Sequence, residues 1–260
     1  MGVAGIILGP LHVPSSRISE GDAILVSTDL DATYLGRRRL TGRVYSPYFS
    51  LNTDDATQAV ACRIVKRGRP YTVVATHWHA SIIADGPTTS ILDSHAGPGA
   101  EECRAALLAG TKVREGEAFD TASFADDVSE EGDVVVVVGD FNTTLGTPEA
   151  DVLMSMGYEV AGARGGGEEW PTWDPEINPN IAMQTRPENQ GGRGELENAV
   201  YSAFSKRPSR LDHAFVRVKG GGDGVGAEAA VVLDGGPGGI VPSDHYGLLI
   251  EIKPQQENIL

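Results

Sequence analysis

The pattern of apolar and polar positions predicts a chain rich in β-strands. Gln58 to Val65 alternates between apolar and polar residues, which is the period of a half-buried strand. The segment Arg67-Gly68-Arg69-Pro70 has turn composition and leads into a second run, Tyr71 to His77, so a β-hairpin is predicted. Further short runs predict strands at Gly21 to Ser27, Arg43 to Leu51, Leu211 to Val218, Ala229 to Leu233 and Tyr246 to Ile252.

One run is apolar without alternation. Asp133 to Val138 is continuously β-branched after its first residue, as is typical of a strand that is covered on both faces. Helices are predicted over Gly97 to Gly110 and from a cap at Thr147 to Gly157. Many strands and few helices together favour a β-rich α/β sandwich.

The segment from Gly162 to Asn198 is rich in Gly, Pro, Asn and Glu, and it predicts a long loop. Trp170 and Trp173 form an aromatic island within it. Two interpretations are open for these tryptophans: they anchor the loop to the core, or they stack on a ligand. We expect them to belong to a loop on the substrate side.

Composition limits the class of protein. A chain of 260 residues is long enough for one large domain, and we expect a monomer. Two cysteines, no run long enough to cross a bilayer and no secretory leader at the first residues favour an intracellular protein. The net charge of −15 argues against a non-specific nucleic-acid coat protein.

The charge is unevenly distributed along the chain. Residues 1–70 contain nine Arg and Lys against six Asp and Glu, whereas residues 71–260 contain twelve against thirty. The basic residues cluster at Arg37, Arg38, Arg39 and Arg43, and again at Arg63, Lys66, Arg67 and Arg69. A solvated hairpin and a phosphate-facing surface explain such clusters equally well.

Polar side chains that can titrate or bind phosphate recur at the ends of predicted strands. They are His77, Asp140 with Asn142, Asp212, and Asp244 with His245. A histidine at such an end can donate to a phosphoryl oxygen, and a carboxylate can orient or deprotonate water. An adjacent Asp-His pair can supply a metal ligand beside a general base, or a carboxylate that tunes the histidine.

Each segment also has a local explanation. His77 could cap a sheet edge, Asp140 and Asn142 could form an Asx-turn, and Asp212 could be an ordinary charged strand start. Asp244 and His245 could belong to a surface loop. The four segments in this order, however, are hard to attribute to chance.

In order and spacing, these segments resemble the motifs of the endonuclease/exonuclease/phosphatase (DNase I-like) superfamily, over roughly Gly21 to Lys253. Thr172-Trp173-Asp174-Pro175 and the segment from Ser243 to Leu248 look most like the 5′-tyrosyl-DNA phosphodiesterase branch. The segment from Thr76 to Ala80 looks instead like the neutral sphingomyelinases. The resemblance implies a four-layer α/β sandwich, in which two mixed sheets pack face to face with helices outside.

The resemblance also implies roles for individual residues. His245 would be the histidine nearest to the nucleophilic water or the scissile phosphate, and Asp244 would support it or bind the metal. Asp140 would activate water or protonate the leaving group. Asn142 and His77 would hold phosphate oxygens, and Asp212 would orient its neighbours.

The chain departs from the family at its start. The family's first β-α-β elements, which end in Gln-Glu and supply the principal Mg²⁺ ligand, are not recognisable, and Glu20 falls too late to replace that glutamate. We therefore expect residues 1–253 to form a domain that is incomplete at its N-terminus, with 254–260 as a tail; the alternative is a diverged protein that has dispensed with this metal ligand. On this basis the chain would have little Mg²⁺-dependent activity by itself.

The implied function is hydrolysis of a phosphodiester by activated water with Mg²⁺ or Mn²⁺. The alternative is a protein that binds phosphate-bearing ligands without catalysis. An inert fragment with an unpaired sheet edge is a third interpretation. The substrate stays open among nucleic acid, phospholipid and small phosphoester, because loops set substrate choice in this superfamily.

Overall fold

Two β-sheets pack face to face in a computed structural model of the protein, which describes residues 22–40, 57–163, 170–184, 194–221, 225–232 and 243–254. The strands of these ranges are β1 (Asp31–Arg39), β2 (Gln58–Lys66), β3 (Arg69–His77), β4 (Val134–Asp140), β5 (Glu159–Val160), β6 (Gly162–Ala163), β7 (Asp212–Val218), β8 (Val225–Val232) and β9 (Gly247–Pro254). The helices are α1 (Gly86–Asp93), α2 (Pro98–Val128), α3 (Pro148–Ser155), α4 (Pro179–Gln184) and α5 (Glu195–Ser205).

The larger sheet has the strand order β1-β2-β3-β4-β7-β5. Strands β2 and β3 form the predicted antiparallel hairpin, in which Gln58 is opposite His77. Strand β4 runs parallel to β3, and the connection between them contains α1 and α2, since a parallel pair needs a long crossover. The all-valine strand β4 thus lies between β3 and β7 and is buried, as its unbroken apolar run predicts.

The smaller sheet has the order β6-β8-β9 and covers one face of the larger one. The side chains between the sheets include Ala75, Val136, Ala214 and Ala229, all buried. Because strand residues alternate between faces, every second residue of β3, β4 and β7 points into this layer. The predicted face-to-face arrangement of two mixed sheets is confirmed.

Helices α2 and α3 cover the outer face of the larger sheet. Their core contains Trp78 and Phe141, whose rings meet edge to face with centroids 4.6 Å apart. A second cluster joins α1, α2 and α5 through buried residues such as Leu92, Leu107 and Phe204. The helices therefore hold the sheet from the side opposite to the smaller sheet.

Helix α2 is far longer than predicted. The prediction ended at Gly110, whereas the helix continues to Val128. Polar residues interrupt its apolar stripe, and they hid the helical period from the sequence. Thr111, Arg114, Glu117 and Thr121 recur at helical spacing, and all are buried because the fold supplies partners for them.

Other predictions were wrong in part. Residues 22–27 form no strand, and the edge strand β1 was missed because its residues Asp31 to Tyr34 are exposed and carry no apolar period. The predicted loop from Gly162 to Asn198 contains α4 and the start of α5. The predicted strand Arg43 to Leu51 and the residues 255–260 of the predicted tail lie outside the described residues. No described helix is both long and apolar enough to cross a membrane.

Candidate active site

Three predicted site residues stand side by side at one end of the larger sheet. His77 ends β3 and is in register with Asp140, the last residue of β4. Asp140 is in register with Asp212, the first residue of β7. The three side chains share the face toward the smaller sheet, two residues along from the buried Ala75, Val138 and Ala214. His77 Nε2 lies 3.5 Å from Asp140 Oδ2.

His245 joins this row from another part of the chain, the loop that precedes β9. Its Nδ1 lies 2.7 Å from Asp212 Oδ2, and its Nε2 lies 3.7 Å from Asp140 Oδ2. The side chains of Asp140, Asp212 and His245 are 15–19% exposed, whereas that of His77 is 41% exposed. The site is therefore mostly buried and opens to solvent at His77.

Burial and mutual charge shift the pKa values of Asp140, Asp212 and His245. Burial acts to lower the pKa of His245, but the charges of Asp212 and Asp140 outweigh it and raise that pKa to about 10. Burial acts to raise the pKa of Asp212, yet the charge and hydrogen bond of His245 leave it below its ordinary value. Burial raises the pKa of Asp140, although the charge of His245 opposes the shift. At neutral pH His245 is therefore an imidazolium beside the Asp212 carboxylate, with the carboxyl group of Asp140 on its other side.

Asn142 shapes the loop that follows β4. Its backbone N–H donates to Asp140 Oδ1 over 2.9 Å, and its side-chain amide donates to the carbonyl of Trp78 over 2.9 Å. Its φ of 48° is left-handed, a conformation that asparagine tolerates better than most residues. Both the local Asx-type contact and a link from β4 to the end of β3 are thus present.

Gly139 allows the close approach of β3 and β4 next to the site. A Cβ at this position would lie 1.7 Å from the carbonyl oxygen of Thr76, and the φ of Gly139 is 154°. No larger residue fits there without displacing the backbone of β3. The glycine therefore fixes the spacing between His77 and Asp140.

The segment from Pro171 to Asn178 ties the His245 loop to β7. The hydroxyl of Thr172 accepts from the backbone N–H groups of Leu211 and Asp212, at 3.0 and 3.1 Å. The carbonyl of Thr172 accepts from the N–H of Tyr246 over 2.8 Å. Asn178 donates from its side chain to the carbonyls of Ser243 and Asp244, at 3.0 Å each.

The two tryptophans of this region have different environments. The ring of Trp173 lies edge-on to that of His245, with centroids 5.2 Å apart, and Trp173 also packs against the second helical core. Trp170 is 59% exposed. Trp173 is therefore anchored beside the site, whereas Trp170 faces solvent.

Sequence reasoning missed Glu117, which supports the site from α2. The side chain is wholly buried, and its carboxylate accepts from the N–H of His79 over 2.7 Å and from the hydroxyl of Thr57. Burial raises the pKa of Glu117 to about 7. The helical spacing of Arg114, Glu117 and Thr121 was the available signal, but charged residues in a helix ordinarily predict a solvent face.

A divalent cation fits the three central side chains. Among the described residues, Asp140, Asp212 and His245 each offer a ligand atom, and these atoms lie within 4.8 Å of one another. Two carboxylates and one imidazole are common donors for divalent metals. Asp244, the predicted ligand, is not in this group; its Oδ1 instead accepts from the hydroxyl of Ser243 over 3.2 Å.

No family model matches the chain, and no curated protein matches its sequence. Similar solved structures include the beta toxin of Staphylococcus aureus, at 21% identity and a TM-score of 0.43, over 74% of this chain and 56% of that one. D. rerio TDP2 with a single-strand DNA product matches at 13% identity and a TM-score of 0.46, over 85% and 68%. The endonuclease/exonuclease/phosphatase from Bacteroides vulgatus matches at 14% and 0.43, over 86% and 67%.

This chain spans little more than half the length of the beta toxin chain that it matches. These structures are similar to the chain at identities below 25% and TM-scores below 0.5.

Proposed function

We propose that this protein hydrolyses a phosphodiester with water, at the end of the larger sheet, with a divalent cation. One observation carries the proposal: His245 Nδ1 lies 2.7 Å from Asp212 while its Nε2 faces Asp140 at 3.7 Å, with His77 on the other side of Asp140 at 3.5 Å. Two histidines and two aspartates at a partly open site can supply the proton transfers that hydrolysis of a phosphodiester needs.

The charges of the site suit a phosphodiester. His245 as an imidazolium offers a fixed positive charge to the oxygens of a phosphoryl group, on which negative charge builds in the transition state. Asp212 keeps that imidazole oriented and protonated. His77, the more exposed histidine, would donate to a second phosphoryl oxygen.

Asp140 is the candidate for the general base. Its Oδ1 is held by the N–H of Asn142, which leaves Oδ2 facing both histidines. Burial raises its pKa, so the carboxylate is a stronger proton acceptor than an ordinary aspartate. Asp140 would accept a proton from the attacking water and later release it toward the leaving oxygen.

The carboxylates of Asp140 and Asp212 would hold the cation, which when bound would polarise the phosphoryl group and lower the pKa of a water molecule. This ligand set does not include the N-terminal glutamate that the resemblance implies. The expectation that the chain by itself has little activity is thus open to direct test. His245 would stay protonated beside the cation, because a cation and a proton on its Nε2 exclude each other.

Assay of residues 1–260 with bis-para-nitrophenyl phosphate tests the proposal, in Mg²⁺, in Mn²⁺ and in a chelator. Asp140→Asn and His245→Gln should each lower kcat/KM by about a hundred-fold or more. Asp151→Asn, on the exposed side of α3, removes the same charge as a control and should have no effect.

Turnover that survives both substitutions would contradict the proposed site. Turnover that is unchanged by the chelator would contradict the cation. Absence of turnover with retained, Asp140-dependent binding of the diester would favour the alternative of a phosphate-binding protein.

A further inference from the structure

The row of polar residues at the sheet end continues past His77 into two further strands. His77 is in register with Gln58, the first residue of β2, and Gln58 is in register with Arg39, the last residue of β1. We propose that a nucleic-acid strand lies along this row, with its scissile phosphate at Asp140 and a neighbouring phosphate at Arg39. This inference rests on the proposed function and names its substrate class.

The structure divides the basic cluster of β1 between two faces. Arg38 points toward α2, where its Nη2 lies 2.6 Å from Asp127 and its guanidinium lies 5.1 Å from the centre of the Phe124 ring. Its neighbours Arg37 and Arg39 are exposed, and alternation places them on the opposite face. That face is the one that His77 and Asp140 share.

The strand register also puts Arg39 on the face of His77 and Asp140. The bulge of β1 falls between Tyr34 and Gly36, so pairing from Gly36 to Arg39 is continuous. Residues in direct register point to the same side of a sheet. Arg39, Gln58, His77 and Asp140 therefore form one line on one face.

The distances between these residues match a ligand with several phosphates. Neighbouring strands lie about 4.8 Å apart, so the backbone of Arg39 is about 10 Å from that of His77 and about 14 Å from that of Asp140. A nucleic-acid strand carries one charge per roughly 3.4 Å of helix axis, so a phosphate within a few nucleotides of the scissile one comes within reach. A single small diester is too short to contact both ends of the row.

The local charge suits a polyanion despite the acidic chain. The net charge of −15 disfavours non-specific attraction, so positive groups matter most where they flank the site. Arg37 and Arg39 are two such groups on the site face. A phosphocholine lipid would bring an ammonium group with its phosphate, and guanidinium groups offer that cation no attraction.

Binding of fluorescein-labelled oligothymidylate and oligouridylate of equal length, followed by fluorescence anisotropy in chelator, tests the proposal without catalysis. Arg39→Ala should weaken both Kd values about ten-fold and reduce the slope of log Kd against log salt by about 0.7. Arg39→Lys, which keeps the charge, should retain most of the binding. Lys66→Ala, at the opposite end of β2, is the matched control and should change neither quantity.

The kinetic arm separates this inference from the proposed function. Arg39→Ala should lower kcat/KM for the oligonucleotides about ten-fold and leave bis-para-nitrophenyl phosphate unaffected, since only the longer substrate reaches Arg39. A preference for one of the two oligonucleotides would identify DNA or RNA. If the wild-type protein hydrolysed neither the oligonucleotides nor bis-para-nitrophenyl phosphate, the proposed function would be wrong. The anisotropy measurements would still test whether a nucleic-acid strand binds along the row.

Three outcomes would overturn the inference. They are equal binding by Arg39→Ala and the wild-type protein, an effect of Lys66→Ala as large as that of Arg39→Ala, and equal losses on the oligonucleotides and the small diester. Hydrolysis of phosphocholine vesicles that is faster than that of the oligonucleotides and insensitive to Arg39→Ala would assign the site to a lipid instead.

Discussion

The imidazole Nδ1 of His245 lies 2.7 Å from the carboxylate of Asp212, although 33 residues separate them in sequence. The pair leaves Nε2 of His245 directed at Asp140. Asp212, at the start of β7, is hydrogen-bonded to this histidine, whereas Asp244 Oδ1 accepts from the hydroxyl of Ser243.

The pH dependence of activity should reflect this pair. Asp140 must be ionised to accept a proton and burial raises its pKa, so kcat/KM should fall on the acid side at a pH above the ordinary aspartate range. His245 must be protonated to stay cationic, and its pKa of about 10 places the fall on the alkaline side near pH 10. In Asp212→Asn the alkaline limb should move to lower pH, because the largest charge that raises this pKa is gone. A limb that stays in place would show that His245 does not act as a cation.

Glu117 should make the folded protein less stable as pH rises. Burial raises its pKa from 4.5 to about 7, so the folded state holds this proton more tightly than the unfolded state. The associated stability is fully present below pH 4.5 and is lost as pH rises through about 7, a change of about 3 kcal/mol. Glu117→Gln can accept from the N–H of His79 through its amide oxygen and donate to the hydroxyl of Thr57 through its amide nitrogen, without a charge. Urea unfolding across this range should therefore show a flatter pH profile and a gain at alkaline pH. Glu115→Gln, partly exposed on the same helix, should leave the profile unchanged.

Gly139→Ala should destabilise the protein and damage the site together. Its Cβ would overlap the Thr76 carbonyl, and the cost is expected to be about 3 kcal/mol or more. Gly116→Ala, on α2 with open space around it, is the comparison and should be neutral or stabilise the helix by up to about 1 kcal/mol. Urea midpoints measure both. Equal midpoints for the two variants would show that β3 can move away from β4 at low cost.

Replacement of the two tryptophans should have different effects on stability and on substrate binding. Trp173→Ala removes a ring packed on His245 and on the helical core, so both the melting temperature and kcat should fall. Trp170→Ala removes an exposed ring and should change stability by less than about 0.5 kcal/mol. A raised KM in Trp170→Ala with unchanged melting would place that ring on the substrate side. Unchanged melting in Trp173→Ala would contradict its anchoring role.

Local patterns predicted the strands that carry the site. The valine run of β4 and the hairpin of β2 and β3 are unambiguous in the sequence, because one is apolar throughout and the other alternates on both sides of the Arg67-Gly68 turn. The sequence therefore predicted that these polar residues lie at the ends of strands. Their catalytic roles stay predictions.

Long-range contacts were not predictable from one sequence. Nothing local to Asp212 or His245 states that they pair, since the Thr172 segment that joins them comes from a third region. The length of α2 was hidden because its buried stripe contains Arg114 and Glu117, whose partners lie on α3 and at the end of β3. The division of the β1 arginines between two faces required the register of β1 on β2.

The double attachment of Thr172 also sets the stage of folding at which the site can exist. Its hydroxyl accepts from the backbone at the start of β7, and its carbonyl accepts from the N–H of Tyr246. The segment that contains Thr172 must therefore dock before His245 reaches Asp212. Contacts between segments so distant in sequence form late, and a docked loop opens at lower free energy than a central sheet. A molecule with its sheets formed and this loop undocked would align His77 with Asp140 and still lack His245. The complete site would then be the last part of the chain to form during folding. On heating, it would be lost while the sheets remain intact.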